Sequence, residues 1–261
     1  MAAGSACGPW FETRYFVTLL TMRVGARIEA AARGCYGTRM TIRMHRGDLP
    51  DLARYTGAVA IDTETMGLEP MRDRLCVVQL SPGDGSADVV QIGREIGPAP
   101  NLKALLGDAT KLKIFHFARF DIGMLCKWLG VMPQPVYCTK IASRLTRTYT
   151  DKHGLKDLTK DLLGKDISKQ QQLSDWGAET LTEAQVAYAA DDVLNLHALK
   201  DKLDAMLARE GRTELAAACF GFLPVRARLD LSGINQAFFW SNAFVGTVFV
   251  LGIATDLFWP G

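Results

Sequence analysis

Residues 58–65 read Ala-Val-Ala-Ile-Asp-Thr-Glu-Thr, an apolar run that ends in two carboxylates two positions apart. The run from Ala58 to Ile61 predicts a short buried strand. Because strand side chains alternate between two faces, Asp62 and Glu64 are expected to project from the same face. Two acids at the end of a buried strand need compensation, which a hard cation with oxygen ligands supplies. An isolated pair of this kind is more often a helix cap or a solvated strand end, so other residues must decide.

Further acids and a hydroxyl follow in two later segments of the chain. Asp121 comes after a predicted strand over 113–117 and lies near the start of the next predicted helix. Tyr188 and Asp192 are four residues apart, which places them on one face of a helix. Taken singly, Asp121 could offset a helix dipole and the other two could belong to an ordinary amphipathic face. Together with the first pair, they supply four carboxylates and one hydroxyl.

The elements around these residues predict an α/β fold with a mixed central sheet flanked by helices. Leu75–Leu80 and Asp88–Ile92 are separated by a Pro-Gly-Asp-Gly turn, which predicts adjacent antiparallel strands. A helix is predicted from about Arg119 to Leu129, where Gly130 follows. The longest predicted helix runs from Thr182 to Glu210, with a capping-box pattern at its start.

The two ends of the 261-residue chain differ from the middle. Residues 1–39 contain arginine but no lysine, and we interpret them as an N-terminal extension that arises from an upstream start codon or is disordered. Residues 40–232 form the predicted domain. Residues 233–261 form an atypical apolar tail, uncharged as far as Thr255. Although the tail could span a bilayer, polar residues dilute it, so we expect it to pack on a partner or to be an aberrant reading-frame end.

The overall composition is that of an ordinary globular protein, with 48% hydrophobic and 22% charged residues. A net charge of +2 barely favours nucleic acid, so any attraction to phosphates must come from local patches. The six cysteines form no CxxC pair and show no spacing typical of zinc ligands. This pattern predicts reduced thiols and a cytoplasmic protein.

The acidic segments resemble the three exonuclease motifs of the DEDD superfamily, in its tyrosine subclass. The motifs are Asp62-Thr63-Glu64-Thr65, the segment around Asp121, and Tyr188-Ala189-Ala190-Asp191-Asp192. Residues 169–176 resemble a ribonuclease D signature. The segments at 73–81 and 139–151 are similar to alphaproteobacterial nano-RNases of the NrnC type. The resemblance runs from about Met40 to Leu231 and implies the ribonuclease-H-like 3′-5′ exonuclease fold.

This resemblance implies a metal-dependent 3′-5′ exoribonuclease that hydrolyses short oligoribonucleotides, diribonucleotides such as pGpG included, to nucleoside 5′-monophosphates. It also implies a ring-shaped homo-oligomer. One alternative is ribonuclease D-like trimming of longer RNA, or exonuclease activity on DNA. Another is a non-catalytic nucleic-acid-binding scaffold, although a scaffold has no need of four converging carboxylates.

Phosphodiester hydrolysis of this kind uses two cations about 3.5–4 Å apart. We assign Asp62 to both cations, Glu64 and Asp192 to the cation that binds the attacking water, and Asp121 to the second cation. Tyr188 has an ordinary pKa near 10 and is expected to orient the water rather than to accept its proton. The oxygen ligands suit Mg²⁺ or Mn²⁺, and the lack of a nearby His/Cys cluster argues against zinc.

Substrate contacts are predicted on both sides of these motifs. Met66 and Leu68 follow the first motif and could wedge against a terminal base, with core packing as the alternative. Basic side chains recur at helical spacing and could neutralise phosphates, or could form a solvated face. The predicted basic contacts are Lys140, Arg144, Arg147 and Lys169.

Overall fold

The computed structural model describes residues 28–33, 39–168 and 170–231. The strands in chain order are β1 (Ile28–Arg33), β2 (Arg39–Arg46), β3 (Val59–Thr65), β4 (Leu75–Ser81), β5 (Ser86–Gln91), β6 (Lys113–Phe115) and β7 (Val136–Cys138). The helices are α1 (Pro100–Gly107), α2 (Arg119–Leu129), α3 (Thr139–Thr146), α4 (Leu155–Leu163), α5 (Glu183–Leu194), α6 (Leu196–Arg209) and α7 (Thr213–Leu231). Strands dominate the first half of the described chain and helices the second.

The strands form one mixed sheet in the order β1-β2-β5-β4-β3-β6-β7. The β3–β4, β4–β5 and β1–β2 pairs are antiparallel, whereas β2–β5, β3–β6 and β6–β7 are parallel. The predicted antiparallel neighbours over 75–80 and 88–92 are therefore confirmed as β4 and β5. The α/β architecture with a mixed sheet is confirmed as well.

The centre of the sheet is the most deeply buried part of the protein. Every residue of β4 is buried, and so is every residue of β5, as expected for strands covered on both faces. Helix α5 packs against β3, β4 and β5, while α2 packs against β3, β4 and α7. The helix that carries the third motif is thereby held directly over the strand that carries the first.

The predicted long helix over 182–210 is wrong, because the structure breaks it into α5 and α6 at Asn195. The Asn195 amide nitrogen donates to the Asp191 carbonyl at 3.4 Å, and its amide oxygen accepts from Lys165 Nζ at 3.3 Å. An asparagine that hydrogen-bonds the backbone in this way competes with the helical ladder. The predicted stop of α2 is confirmed, since Gly130 caps it at a φ of 69°.

The two predicted strands that lead to the site have different bounds in the structure. β3 continues through Asp62 and Glu64 to Thr65, so the two acids lie inside the strand rather than beyond it. β6 ends at Phe115, two residues earlier than predicted. Both differences lie where the chain approaches the predicted site.

The ends of the chain are described in part. Residues 28–33 of the predicted extension form β1, and the interpretation of residues 1–39 as an extension stays a prediction. The apolar tail over 233–261 lies outside the described residues, and so do Cys7 and Cys35. The four described cysteines are free thiols, in line with the prediction from their spacing. No helix within the described ranges combines the length and the apolarity needed to cross a membrane.

Candidate active site

The first two acids extend from one face of β3. In the antiparallel pairing with β4, Asp62 lies opposite Gln79 and Glu64 lies opposite Val77. The register shifts between Glu64 and Thr65, so regular pairing is interrupted directly after the second acid. Gln79 is fully buried, and its Nε2 donates a long hydrogen bond of 3.4 Å to Asp62 Oδ2. The neighbouring strand therefore orients the first carboxylate.

Asp121 is brought to the same place by the first turn of α2. Its side chain is buried, and Oδ1 accepts a 2.6 Å hydrogen bond from Thr63 Oγ1. The hydroxyl and the backbone N–H of Thr63 both favour the charged form of this carboxylate. Asp121 is thus attached to β3 at the position between Asp62 and Glu64.

Helix α5 supplies the last two predicted residues. Its start is fixed by Thr182 and Gln185, which form the predicted capping box in both directions. Tyr188 and Asp192 then lie one turn apart, close enough for the Asp192 charge to raise the pKa of the Tyr188 hydroxyl. The Tyr188 ring also packs against Trp176, with 6.0 Å between the ring centroids.

Three of the carboxylates converge closely enough to share one cation. Asp62, Glu64 and Asp192 each offer an oxygen, and these oxygens lie within 4.8 Å of one another. Asp121 is not in this group of three, yet it interacts electrostatically with Asp62. Within the described residues, these three acids are therefore placed to share one cation, with Asp121 beside Asp62.

The acids are costly to hold as anions in the absence of a cation. Burial, together with the charges of Asp62, Asp192 and Asp121, raises the pKa of Glu64 to about 10. Burial raises the pKa of Asp62 to about 7, although the Thr63 backbone N–H acts in the opposite direction. Burial and the Asp62 charge raise the pKa of Asp121 above its ordinary range. A donor set made only of carboxylate oxygens, with such unfavourable mutual repulsion, fits Mg²⁺ or Mn²⁺.

Tyr188 is a hydroxyl donor in this environment. Burial raises its pKa above the ordinary value, and the charges of Asp192, Glu64 and Asp62 raise it further. The phenol therefore stays protonated at neutral pH. It can hold a water or a phosphate oxygen in place by hydrogen bonding, but it is a poor proton acceptor.

The two apolar residues after the first motif are exposed, which argues against the core-packing alternative. Leu68 is 84% exposed and Met66 is 54% exposed. A Cβ atom at Gly177 would collide with Met66 Sδ, so glycine there lets the thioether pack closely against the loop that follows Trp176. The structure thus leaves both side chains largely exposed in the segment that directly follows β3.

The predicted basic contacts divide into two groups. Arg144 is exposed on α3, and Lys140 is partly exposed one turn earlier. Arg147 is buried, with Nη1 donating to the Lys152 carbonyl at 2.8 Å and Nη2 hydrogen-bonding Asp161. The structure therefore contradicts the predicted surface phosphate contact of Arg147. Helix α3 ends one residue before Arg147, and the chain that follows covers its side chain. Lys169 lies outside the described residues.

The histidines nearest the motifs have structural contacts. His116 Nδ1 lies 2.9 Å from Thr139 Oγ1, and burial lowers the pKa of His116 to about 3, so it is neutral. His197 Nε2 donates to the Ala58 carbonyl at 3.1 Å, at the opposite end of β3 from the acids. Neither is placed as a catalytic base.

Sequence reasoning assigned no role to Thr63 or Gln79. The signal for Gln79 was present, since an amide in the apolar run 75–80 must find a buried hydrogen-bond partner. The signal for Thr63 was weaker, because its partner Asp121 is 58 residues away and only the folded sheet brings them together.

A family model described as 3′-5′ exonuclease matches residues 48–208, more than half of the chain. The chain is also similar to ribonuclease D from Granulibacter bethesdensis, with 36% identity over 154 residues. That match covers 59% of this chain and 38% of the relative, so the chain spans about two fifths of the curated protein's length.

Solved structures give longer matches. Brucella melitensis NrnC with bound Mg²⁺ is 61% identical, with a TM-score of 0.71, and the match covers 74% of this chain and 94% of that one. Brucella melitensis NrnC bound to pGG is 62% identical, with a TM-score of 0.73, and the match covers 74% and 95%. All five predicted catalytic residues lie within the region that the family model matches.

Proposed function

Since the chain belongs to the 3′-5′ exonuclease family, we propose that it is a metal-dependent exoribonuclease that hydrolyses short oligoribonucleotides to nucleoside 5′-monophosphates. The family assignment confirms the resemblance inferred from the three motifs. The observation that carries the proposal is the convergence of Asp62, Glu64 and Asp192 oxygens within 4.8 Å, with Asp121 hydrogen-bonded to the same strand. A non-catalytic scaffold would keep this repulsive cluster at a cost in stability and without use.

Two divalent ions, Mg²⁺ or Mn²⁺, form part of this proposal. Asp62, Glu64 and Asp192 would hold one ion, and Asp121 together with Asp62 would hold the other. Bound ions of this kind lower the pKa of water and neutralise charge that develops on the phosphate. Mg²⁺ is favoured by the similarity to a solved NrnC structure that contains it.

Tyr188 would orient the attacking water. Its protonated hydroxyl interacts with Asp192, one of the proposed cation ligands, and its ring packs against Trp176. A group fixed on both sides can hold a water in line with the scissile phosphorus, which lowers the entropic part of the barrier. Because the Tyr188 hydroxyl carries no charge, it would contribute by positioning the water.

Short substrates are proposed from two observations. The 62% identical Brucella NrnC has been solved with pGG bound, and this chain covers 95% of that protein. In addition, Leu68 and Met66 are exposed and follow Glu64 by four and two residues, so they would be able to contact the bases of the last nucleotides. The proposal also includes a ring-shaped homo-oligomer, which the family resemblance predicts, and a cytoplasmic location, which the cysteine pattern predicts.

The test is hydrolysis by the purified full chain of labelled RNAs of two to seven nucleotides, with Mg²⁺, with Mn²⁺ or with EDTA. We expect nucleoside 5′-monophosphates released from the 3′ end, fastest from the shortest chains and abolished by EDTA. DNA oligonucleotides of the same lengths test the alternative that the enzyme hydrolyses DNA. Products released from the 5′ end, or hydrolysis that persists in EDTA and in Asp62→Asn, would show that the assignment is wrong.

A further inference from the structure

Phe117 has an unfavourable backbone conformation and an exposed aromatic ring. Its φ is 65°, in the left-handed region that bulky side chains rarely adopt. Its side chain is nevertheless 47% exposed, so burial of the ring does not compensate for the strain. Strain that persists without a packing benefit points to a role for the side chain.

The backbone conformation itself has a clear cause. The chain turns at this point from β6 into α2, and the Phe120 N–H donates to the Phe117 carbonyl at 3.2 Å. A turn with positive φ is served best by glycine, or by asparagine, which tolerates this region. The turn therefore explains the φ angle but not the presence of phenylalanine.

Phe117 lies at the same edge of the sheet as the carboxylates. In the parallel pairing of β6 with β3, Lys113 is opposite Val59 and Ile114 is opposite Ala60. Counting four residues onward from the pair Lys113 and Val59, Phe117 corresponds in position to Thr63 of β3. Four residues later the chain reaches Asp121, which hydrogen-bonds Thr63.

Two cations flank the ring. Lys140 Nζ lies 4.3 Å from the ring centroid, a cation–π contact, and the Arg119 guanidinium carbon lies 6.0 Å away. Phe117 thus combines an aromatic surface with adjacent positive charge. Proteins that bind single-stranded nucleic acid use this combination, in which a base stacks on the ring and the cations attract phosphates.

We propose that Phe117 is a stacking platform for one nucleobase of the bound oligonucleotide, and that Lys140 holds the ring in position from one side. This inference rests on the proposed function, because it names a residue that positions the substrate of that reaction. Phe117 is a positioning residue, since a base stacked on it would hold the adjacent phosphodiester near the carboxylates without contributing to bond cleavage.

The test measures binding separately from hydrolysis. A 5′-phosphorylated dinucleotide with 2-aminopurine at either position is titrated against the full-length protein in EDTA, where stacking on an aromatic ring quenches its fluorescence. We expect quenching by wild type and by Phe117→Trp for at least one of the two positions. Phe117→Gly should lose that quenching and bind about 10-fold more weakly, in line with the usual contribution of base stacking.

The melting temperature distinguishes this role from simple packing. Because glycine relieves the strain at a φ of 65°, Phe117→Gly should melt at the wild-type temperature or about 2–4 °C above it. Phe222→Ala, which removes an exposed aromatic ring on α7, is the matched control and should leave quenching and affinity unchanged. Unchanged affinity and quenching in Phe117→Gly would overturn the proposal. Absence of hydrolysis by wild type would overturn the proposed function alone, because quenching in EDTA does not depend on turnover.

Discussion

Thr63 Oγ1 donates a 2.6 Å hydrogen bond to Asp121 Oδ1 and so joins the middle of the first acidic motif to the first turn of α2. The residue between the two acids of β3 therefore fixes the acid that comes from a different part of the chain. Both side chains are buried, and a hydrogen bond to a buried carboxylate is among the stronger ones in proteins. The spacing of the site depends on this contact.

Replacing Thr63 by valine should weaken metal binding while the fold persists. Valine has a similar volume but cannot donate, so Asp121 loses a partner that orients it. We expect about 10- to 100-fold lower apparent affinity for Mg²⁺, measured from activity against Mg²⁺ concentration. Thr63→Ser, which keeps the hydroxyl, is the control and should retain most of the affinity. Equal Mg²⁺ dependence in the valine variant and wild type would contradict a positioning role.

The adjacent Asp191 and Asp192 provide a matched pair of substitutions. Asp192 belongs to the group of three converging carboxylates, whereas Asp191 does not. Asp192→Asn should lower kcat on the order of 10²–10³-fold, since it removes a cation ligand and charge that stabilises the transition state. Asp191→Asn should retain activity within a few fold. The reverse order of effects would move the third motif by one residue and would remove the basis for the role of Tyr188.

The metal-free protein should lose stability as the pH rises. The pKa of Asp62 is raised to about 7 and that of Glu64 to about 10, from values near 4 in an unfolded chain. The folded state therefore binds these protons more tightly, and the stability they provide is complete below about pH 4 and declines as the pH rises through 7 and towards 10.

This pH dependence can be measured as a difference between two proteins. In EDTA, the melting temperature of the Asp62→Asn/Glu64→Gln double variant should exceed that of wild type by a margin that widens from pH 5 to pH 9. Mg²⁺ should stabilise wild type more at higher pH, because the cation binds the deprotonated carboxylates. A margin that does not change with pH would mean that these acids are not held as the structure indicates.

Much of the site could be predicted because its residues obey local rules. Alternation along β3 placed Asp62 and Glu64 together, and helical spacing placed Tyr188 beside Asp192. Both relations depend only on neighbours in the chain. The capping box at Thr182 is local in the same sense, and the structure reproduces it.

Relations between distant segments could not be predicted in this way. The break at Asn195 depends on hydrogen bonds to Asp191 and to Lys165, a residue 30 positions away. The burial of Arg147 depends on the chain near Asp161 folding back over the end of α3. Periodicity alone counted Arg147 as a member of a basic face, because a sequence pattern contains no information about what covers it.

The two arginines near the end of α3 should respond differently to substitution. Arg147→Met removes donors to the Lys152 carbonyl and to Asp161, and should destabilise the fold by about 1–3 kcal/mol. Arg144→Met removes an exposed charge and should leave the melting temperature within about a degree while raising KM for RNA. Thermal melts and initial rates of both variants give the comparison. A rise in KM in Arg147→Met but not in Arg144→Met would indicate that Arg147 contacts the substrate.

The last prediction concerns the length of the substrate. A site that binds the 5′-phosphate of a dinucleotide gains binding energy only when the chain is short, because in a longer chain the next nucleotide blocks that site. Lys140 and Arg144, whether from the same subunit or from a neighbour in the proposed ring, are candidates for this contact.

We expect 5′-phosphorylated pGpG to be cleaved with a higher kcat/KM than a heptamer. Removal of the 5′-phosphate should cost about 1.5–3 kcal/mol, or roughly 10- to 150-fold, if charge-assisted hydrogen bonds hold it. Rates on pGpG, GpG and a heptamer are compared at the same Mg²⁺ and salt concentrations, since both affect phosphate binding. Equal rates on all three would refute a phosphate-binding site and leave an exonuclease without a preference for length.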